Sequence, residues 1–144
     1  MSEAAPTPPL TGHCNCGAVT FAISAPLASA GYCHCTRCQR RTGAAASANG
    51  RTVPGSFRVT AGEDRLRAWT PAGGFEKWFC GDCGSHLFSR SPSDPDVVGV
   101  RLGALDGDPG VRPSYRQYVG YAAAWETIPE DGLPRHPGQR PQEA

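Results

Sequence analysis

The sequence contains no apolar run near the roughly 18 residues that a membrane-crossing helix needs, so no membrane partner is expected. It has almost no net charge, +1 at pH 7, with both signs interspersed. That excludes an acidic tail and argues against a nucleic-acid partner, whose phosphates would call for a basic patch. Lysine is nearly missing: of 14 cationic residues only Lys77 is one, which reads as compositional bias of the genome. Apolar residues make up only 39% of the chain, so the core is modest. The opening Met1-Ser2-Glu3-Ala4-Ala5-Pro6 has an acid where an export signal needs positive charge, and no apolar run follows. A cytoplasmic location is expected. Thiols stay reduced there, so grouped cysteines read as metal ligands or redox centres rather than disulfides.

What is present is glycine, proline and cysteine. A chain of 144 residues is expected to be one domain, long enough to bury roughly 70% of its unfolded surface. Its 18 Gly and 14 Pro exceed a fifth of the chain, too many for a helical bundle and well suited to short strands joined by turns. Val19, Phe21 and Ile23 alternate with Thr20, Ala22 and Ser24, predicting a half-buried strand ended by Pro26. Further strands are expected at 57–60, 66–69, 77–80, 85–89, 97–102 and 115–121, separated by turn residues such as Pro54-Gly55, Gly62 and Gly73-Gly74. One short helix is expected at 36–41, stopped by Gly43; residues 44–48 suit neither state. The fold class is therefore all-β with one or two short helices. Residues 1–10 are expected to be a disordered leader, 11–133 the domain and 134–144 a frayed tail.

The seven cysteines fall in three tight groups: Cys14-x-Cys16, Cys33-x-Cys35-x-x-Cys38 and Cys80-x-x-Cys83. Zinc takes four ligands at tetrahedral angles, with Zn–S near 2.3 Å. A C-x-x-C followed by glycine, here Gly84, turns the chain so that backbone amides point at the thiolates. C-x-C needs a turn as well, because alternate side chains of an extended strand stand roughly 6.6 Å apart; Asn15 and Gly17 allow one. Four plus three is the natural partition. Cys14, Cys16, Cys80 and Cys83 complete a closed, structural site. Cys33, Cys35 and Cys38 leave a fourth position open, the arrangement of catalytic zinc. A redox-sensing thiol cluster, a site closed by His34 or His86, and an iron–sulfur cluster remain alternatives for the second group.

The ordered segments G-H-C-N-C-G-A-V (12–19), C-H-C-T-R-C-Q-R-R-T-G (33–43) and F-C-G-D-C-G-S-H-L-F (79–88) resemble the glutathione-dependent formaldehyde-activating enzymes, grouped with the centromere protein V domain. Trp125 and the D-G-L-P-R-H-P-G segment (131–138) also resemble the end of such chains. The resemblance covers roughly residues 11–138. It implies a β-tent of small packed antiparallel sheets stabilised by two zinc ions per chain. One would be structural on Cys14, Cys16, Cys80 and Cys83; the second would sit on Cys33, Cys35 and Cys38. It implies the activity of a carbon–sulfur lyase, which joins formaldehyde to glutathione as S-hydroxymethylglutathione.

An open zinc with three thiolates can bind and deprotonate an incoming thiol, which then attacks an aldehyde. Such a centre is anionic and needs nearby donors. Arg37, Arg40 and Arg41 lie beside it in sequence; Arg37 and Arg40 are the candidates to clamp substrate carboxylates, with a solvated helix face as the bland alternative. His34 is expected to point away from the metal, and His13 and His86 to support ligands rather than to ligate. Trp69, Phe75, Trp78, Phe79 and Phe88 are expected in the core around the four-cysteine site, with a pocket wall as the lesser reading for Trp78 or Phe75. Two functions follow: an enzyme joining glutathione or a similar thiol to a small aldehyde, or a non-catalytic zinc module that binds glutathione or a protein partner.

Overall fold

In the computed structural model, residues 8–141 are described. In chain order they form β1 (Leu10–His13), β2 (Thr20–Ile23), β3 (Ser29–Cys33), α1 (Thr36–Thr42), β4 (Ser47–Arg51), β5 (Phe57–Ala61), β6 (Leu66–Trp69), β7 (Glu76–Cys80), β8 (His86–Arg90), β9 (Val98–Arg101) and β10 (Arg116–Gln117), with three short 3₁₀ turns. Strands this short bury apolar side chains only by stacking sheets. A three-stranded antiparallel sheet has the order β1-β2-β5, and a seven-stranded sheet the order β10-β3-β4-β9-β8-β7-β6. Every pairing is antiparallel except β10 with β3.

The core lies between the sheets. Val19, Phe21 and Ile23 from the smaller one meet Leu87, Phe88, Val98 and Val100 from the larger. An aromatic row crosses the gap, with Phe21 5.3 Å from Phe57, and Phe57 4.6 Å from Phe88. Phe21 and Phe88 are each fully buried, which contributes about 1.5–3 kcal/mol per side chain. Cys14 and Cys80 belong to the same buried cluster, so the four-cysteine group grows directly out of the core.

The all-β class and the small sheets are as expected, and α1 stands where the sequence predicts it. Gly43 ends it in the left-handed conformation (φ 66°), its N–H bonded to the Gln39 carbonyl. Other expectations change. Ala22 is buried although the alternation puts it on a solvent face, because β2 is the central strand of its sheet. The strand expected at 115–121 shrinks to Arg116–Gln117, since Tyr118 turns left-handed (φ 59°) and a 3₁₀ turn follows. Trp69 is 48% exposed rather than core.

Near the two ends of the described residues the backbone is hydrogen-bonded. Leu10 pairs with Ile23 in β1. Residues 134–141 are tied down: Arg116 N–H donates to the Pro134 carbonyl, His136 N–H to the Arg116 carbonyl, and Tyr118 N–H to the Gly138 carbonyl. The rest of the expected leader and tail, 1–7 and 142–144, lies outside the described residues. Among the described residues no helix is long and apolar enough to cross a membrane.

Candidate metal centres and the cavity between strands and helix

Two hairpin ends build the four-cysteine group. Between β1 and β2 the chain turns at Cys14–Gly17, where Gly17 N–H donates to the Cys14 carbonyl and Gly17 has φ 77°. Between β7 and β8 the knuckle closes with Gly84 N–H on the Cys80 carbonyl and Gly84 at φ 78°. Both glycines take a conformation that a side chain disfavours. The first turn belongs to the small sheet and the second to the large one, so the sulfurs meet at a junction of the two. Cys14 and Cys80 are buried; Cys16 and Cys83 reach the surface.

The donors fit a tetrahedral ion. All four Sγ atoms lie within 4.8 Å of one another. Cys14 Sγ is 3.6 Å from Cys16 Sγ, which is 3.8 Å from Cys80 Sγ; Zn–S bonds near 2.3 Å at tetrahedral angles would separate sulfurs by about 3.8 Å. Hydrogen bonds support two of the sulfurs as thiolates, Cys14 and Cys83, while Cys16, against the pull of the Ala18 amide, is pushed up by Cys14. Val19 N–H donates to Cys14 Sγ over 3.3 Å. Ser85, whose Oγ is 3.2 Å from Cys83 Sγ, pulls that thiol down to about 5.

The three-cysteine group forms where β3 runs into α1. Cys33 ends the strand, Cys35 caps the helix and Cys38 lies in its first turn; their Sγ atoms also lie within 4.8 Å of one another. Cys38 N–H donates to Cys35 Sγ. Hydrogen bonding from Cys33, then Cys38, holds Cys35 well below the usual thiol range, while Cys33 is pushed up in return. The sulfurs thus share one hydrogen-bonded arrangement, Cys35 favoured as thiolate and Cys33 as thiol, and a bound metal would replace that proton. Both groups could hold metal ions.

No histidine joins either group. The His34 ring is fully buried and turned to other partners: Arg116 Nη1 lies 3.3 Å from Nε2, and Glu126 Oε2 lies 3.2 Å from Nδ1. A guanidinium can only donate, so Nε2 accepts and the neutral ring donates through Nδ1. His13 pairs with Asp106. His86 is kept neutral by burial and by Arg41 and Arg101.

A cavity of about 570 Å³ opens over the three-cysteine group. Its walls come from α1 (Arg37), β4 (Arg51), β7 (Lys77), the β6–β7 loop (Gly73, Phe75) and the C-terminal segment (Gln117, Tyr118, Tyr121, Gln139). It contains no carboxylate. Of the two expected clamp residues, Arg37 is in this wall, packed against Gly74 of the loop. Arg40 lines an adjoining hollow with Arg41 and Trp69 instead. Phe75, expected in the core, lines the cavity, with the Arg51 guanidinium 5.9 Å from its ring. Sequence reasoning missed Arg51, Lys77, Tyr118 and Tyr121 as wall residues. Only the isolation of Lys77 as the sole lysine was visible, and composition explained it.

A family model described as "Glutathione-dependent formaldehyde-activating enzyme" matches residues 9–121. A relative from Aspergillus flavus, given that enzyme name provisionally, is 31% identical over 90 residues, covering 61% of this chain and 47% of its own. One from Phaeosphaeria nodorum, named in the same way, is 27% identical over 125 residues, covering 85% of this chain and 63% of its own. The chain therefore spans about half to two thirds of the length of these relatives. A crystal structure of a Rhodobacter sphaeroides protein shares the fold, with a TM-score of 0.57, 24% identity, and coverage of 88% of this chain and 98% of the other.

Proposed function

Because the chain belongs to the glutathione-dependent formaldehyde-activating enzyme family, we propose that it joins glutathione or a similar small thiol to formaldehyde or another small aldehyde. In this reading the chain is a cytoplasmic carbon–sulfur lyase carrying two zinc ions. Cys14, Cys16, Cys80 and Cys83 hold a structural ion, and Cys33, Cys35 and Cys38 hold a second with one position left for a thiol. The observation that carries the reading is the three-sulfur cluster lining a cavity, with no fourth Cys, His, Asp or Glu grouped with it among the described residues.

A zinc ion there supplies a positive centre that lowers the pKa of an incoming thiol. The chain's own residues do the rest. Arg37, Arg51 and Lys77 line a cavity without carboxylates, so they receive an anionic substrate, as the two carboxylates of glutathione would be received. Arg37 and Arg51 offer flat forks suited to carboxylates; Arg40 is placed to grip only a substrate long enough to reach the adjoining hollow. Phe75, Tyr118 and Tyr121 give the wall its aromatic surface. In the reaction the thiol sulfur adds to the aldehyde carbon and a C–S bond forms. The C=O π pair moves to oxygen, which ends protonated, and the thiol proton is the one given up. Nothing is oxidised or reduced.

The test is the rate of adduct formation between glutathione and formaldehyde, followed by NMR, with zinc-loaded wild type and with Cys38→Ser. Acceleration by wild type alone is expected. A rate equal to the spontaneous one would remove the enzyme reading. If the Co²⁺-substituted protein still changed its sulfur charge-transfer band on adding glutathione, the chain would be the alternative, a thiol-binding module.

A further inference from the structure

Arg41, Lys77 and Arg101 come from α1, β7 and β9. Strand register puts Lys77, Ser89, Arg101, Asn49, Ser47 and Cys33 on one face of the large sheet, and Arg41 follows Cys38 by about one turn on α1. Each is partly buried. None has an acidic partner: among the described residues Asp64, Asp82, Asp106, Asp108, Glu126, Glu130 and Asp131 pair instead with Arg65, Arg112, Arg116, Arg135 or a histidine. Arg101 is held only by neutral groups. Its Nη1 donates to Asn49 Oδ1 over 2.5 Å and its Nη2 to Ser89 Oγ over 2.9 Å, while its buried Nε has no partner. Among the described residues the Lys77 side chain makes no hydrogen bond, and Lys77 lines the cavity.

Gathering partly buried cations without a counter-ion is costly, and the repulsion shows in their proton affinities. Burial first, then Arg41, lower Arg101 to about 10, while Cys38 and Cys33 act in the opposite sense. Lys77 is lowered by burial and Arg101, and again Cys38 opposes. Arg41 is lowered by burial and supported by Cys38. In each case the opposing influence is a cysteine of the three-cysteine group.

We propose that Arg101 and Lys77, assisted by Arg41, are the counter-charge of the three-cysteine centre, positioning residues that set how tightly it holds its metal and that favour an anionic fourth ligand. The inference rests on the zinc reading above. Three thiolates around a divalent ion leave one net negative charge and an added thiolate leaves two; the cations offset both.

Competition with a chromogenic chelator tests this on the full chain, reading zinc release from each centre, with Cys38→Ser identifying the step that belongs to the three-cysteine group. Lys77→Met removes a charge and no hydrogen bond. Arg101→Met removes charge and two hydrogen bonds, and Arg101→Lys restores the charge. Expected is a selective loss of affinity at the three-cysteine centre, roughly 10- to 100-fold in both methionine variants, with the four-cysteine step unmoved and most of the loss recovered in Arg101→Lys. If Arg101→Met disturbs both steps through misfolding, Lys77→Met decides. Release unchanged within about twofold in Lys77→Met, with wild type binding two ions, overturns the inference alone; the scale of effect it would have to show is the one above. A wild type that binds zinc only at the four-cysteine group overturns the zinc reading beneath it.

Discussion

Arg116→Met should destabilise the protein far more than its surface-like residue type suggests. Arg116 is 6% exposed. Its Nη2 lies 2.7 Å from Asp131 Oδ2, its Nη1 lies 3.3 Å from His34 Nε2, and its guanidinium sits 4.5 Å over the Tyr32 ring. Methionine keeps the apolar stem and removes the fork. A hydrogen bond to a charged group contributes about 1.5–3 kcal/mol, and the buried His34 nitrogen left without a donor costs about 1–3 more. Against this, the Arg116 Nε has no partner, so its removal returns about 1 kcal/mol. The net is a loss of about 3 kcal/mol, which for a chain of this size lowers Tm by about 6–12 °C. Thermal unfolding followed by circular dichroism, at equal zinc loading, measures it. Because Arg116 links His34, which sits between Cys33 and Cys35, to Asp131, limited proteolysis should also speed up within 122–141. A Tm within about 2 °C of wild type would mean that the network contributes little and that β10 pairing alone holds this segment.

Two further outcomes follow from the same geometry. The Arg116 hydrogen bond, then the Leu133 amide, hold the Asp131 carboxyl below the usual carboxylate range. Its folded pKa is therefore depressed, so its contribution is present above the ordinary carboxylate pKa and fades as pH falls towards the folded one. The Tm gap between wild type and Asp131→Asn should accordingly close on acidification; a gap independent of pH would show that the ion pair is not its source. Cys83→Ser and Cys38→Ser should differ in kind. Losing a ligand at the sheet junction should cost foldedness, since structural zinc binding is worth on the order of 10 kcal/mol in small zinc peptides. Losing Cys38 should leave a folded chain short of one zinc, and equal unfolding in both variants, judged by circular dichroism and metal analysis, would make the second centre structural too.

Much of this protein is local and was legible in the chain. Cysteines two or three residues apart must bring their sulfurs together once the chain turns, and Gly17 and Gly84 supply the turns. That Cys14 and Cys16 meet Cys80 and Cys83 followed from the number of ligands that a tetrahedral ion needs. The alternation at Val19–Ile23 and the glycine stop at Gly43 carried the strand and helix they predict.

What the chain concealed is what long-range contact creates. β3 (SAGYC) and β4 (SANGR) have small residues and no alternation, and are strands because each is paired on both sides. Gly31 is small because the Tyr115 ring lies on it, and Gly50 because Leu27 and Leu102 do. Nothing local marks the left-handed turn at Tyr118 that helps to line the cavity. Nor does anything local bring Lys77 and Arg101 towards Cys33, Cys35 and Cys38, from which they are dozens of residues distant. Spacing alone determined that sulfurs two or three residues apart can take the same ion, because that depends on a few bonds. Tertiary structure alone decided which charges surround it, because electrostatic fields act through space, between strands the chain reaches at different times.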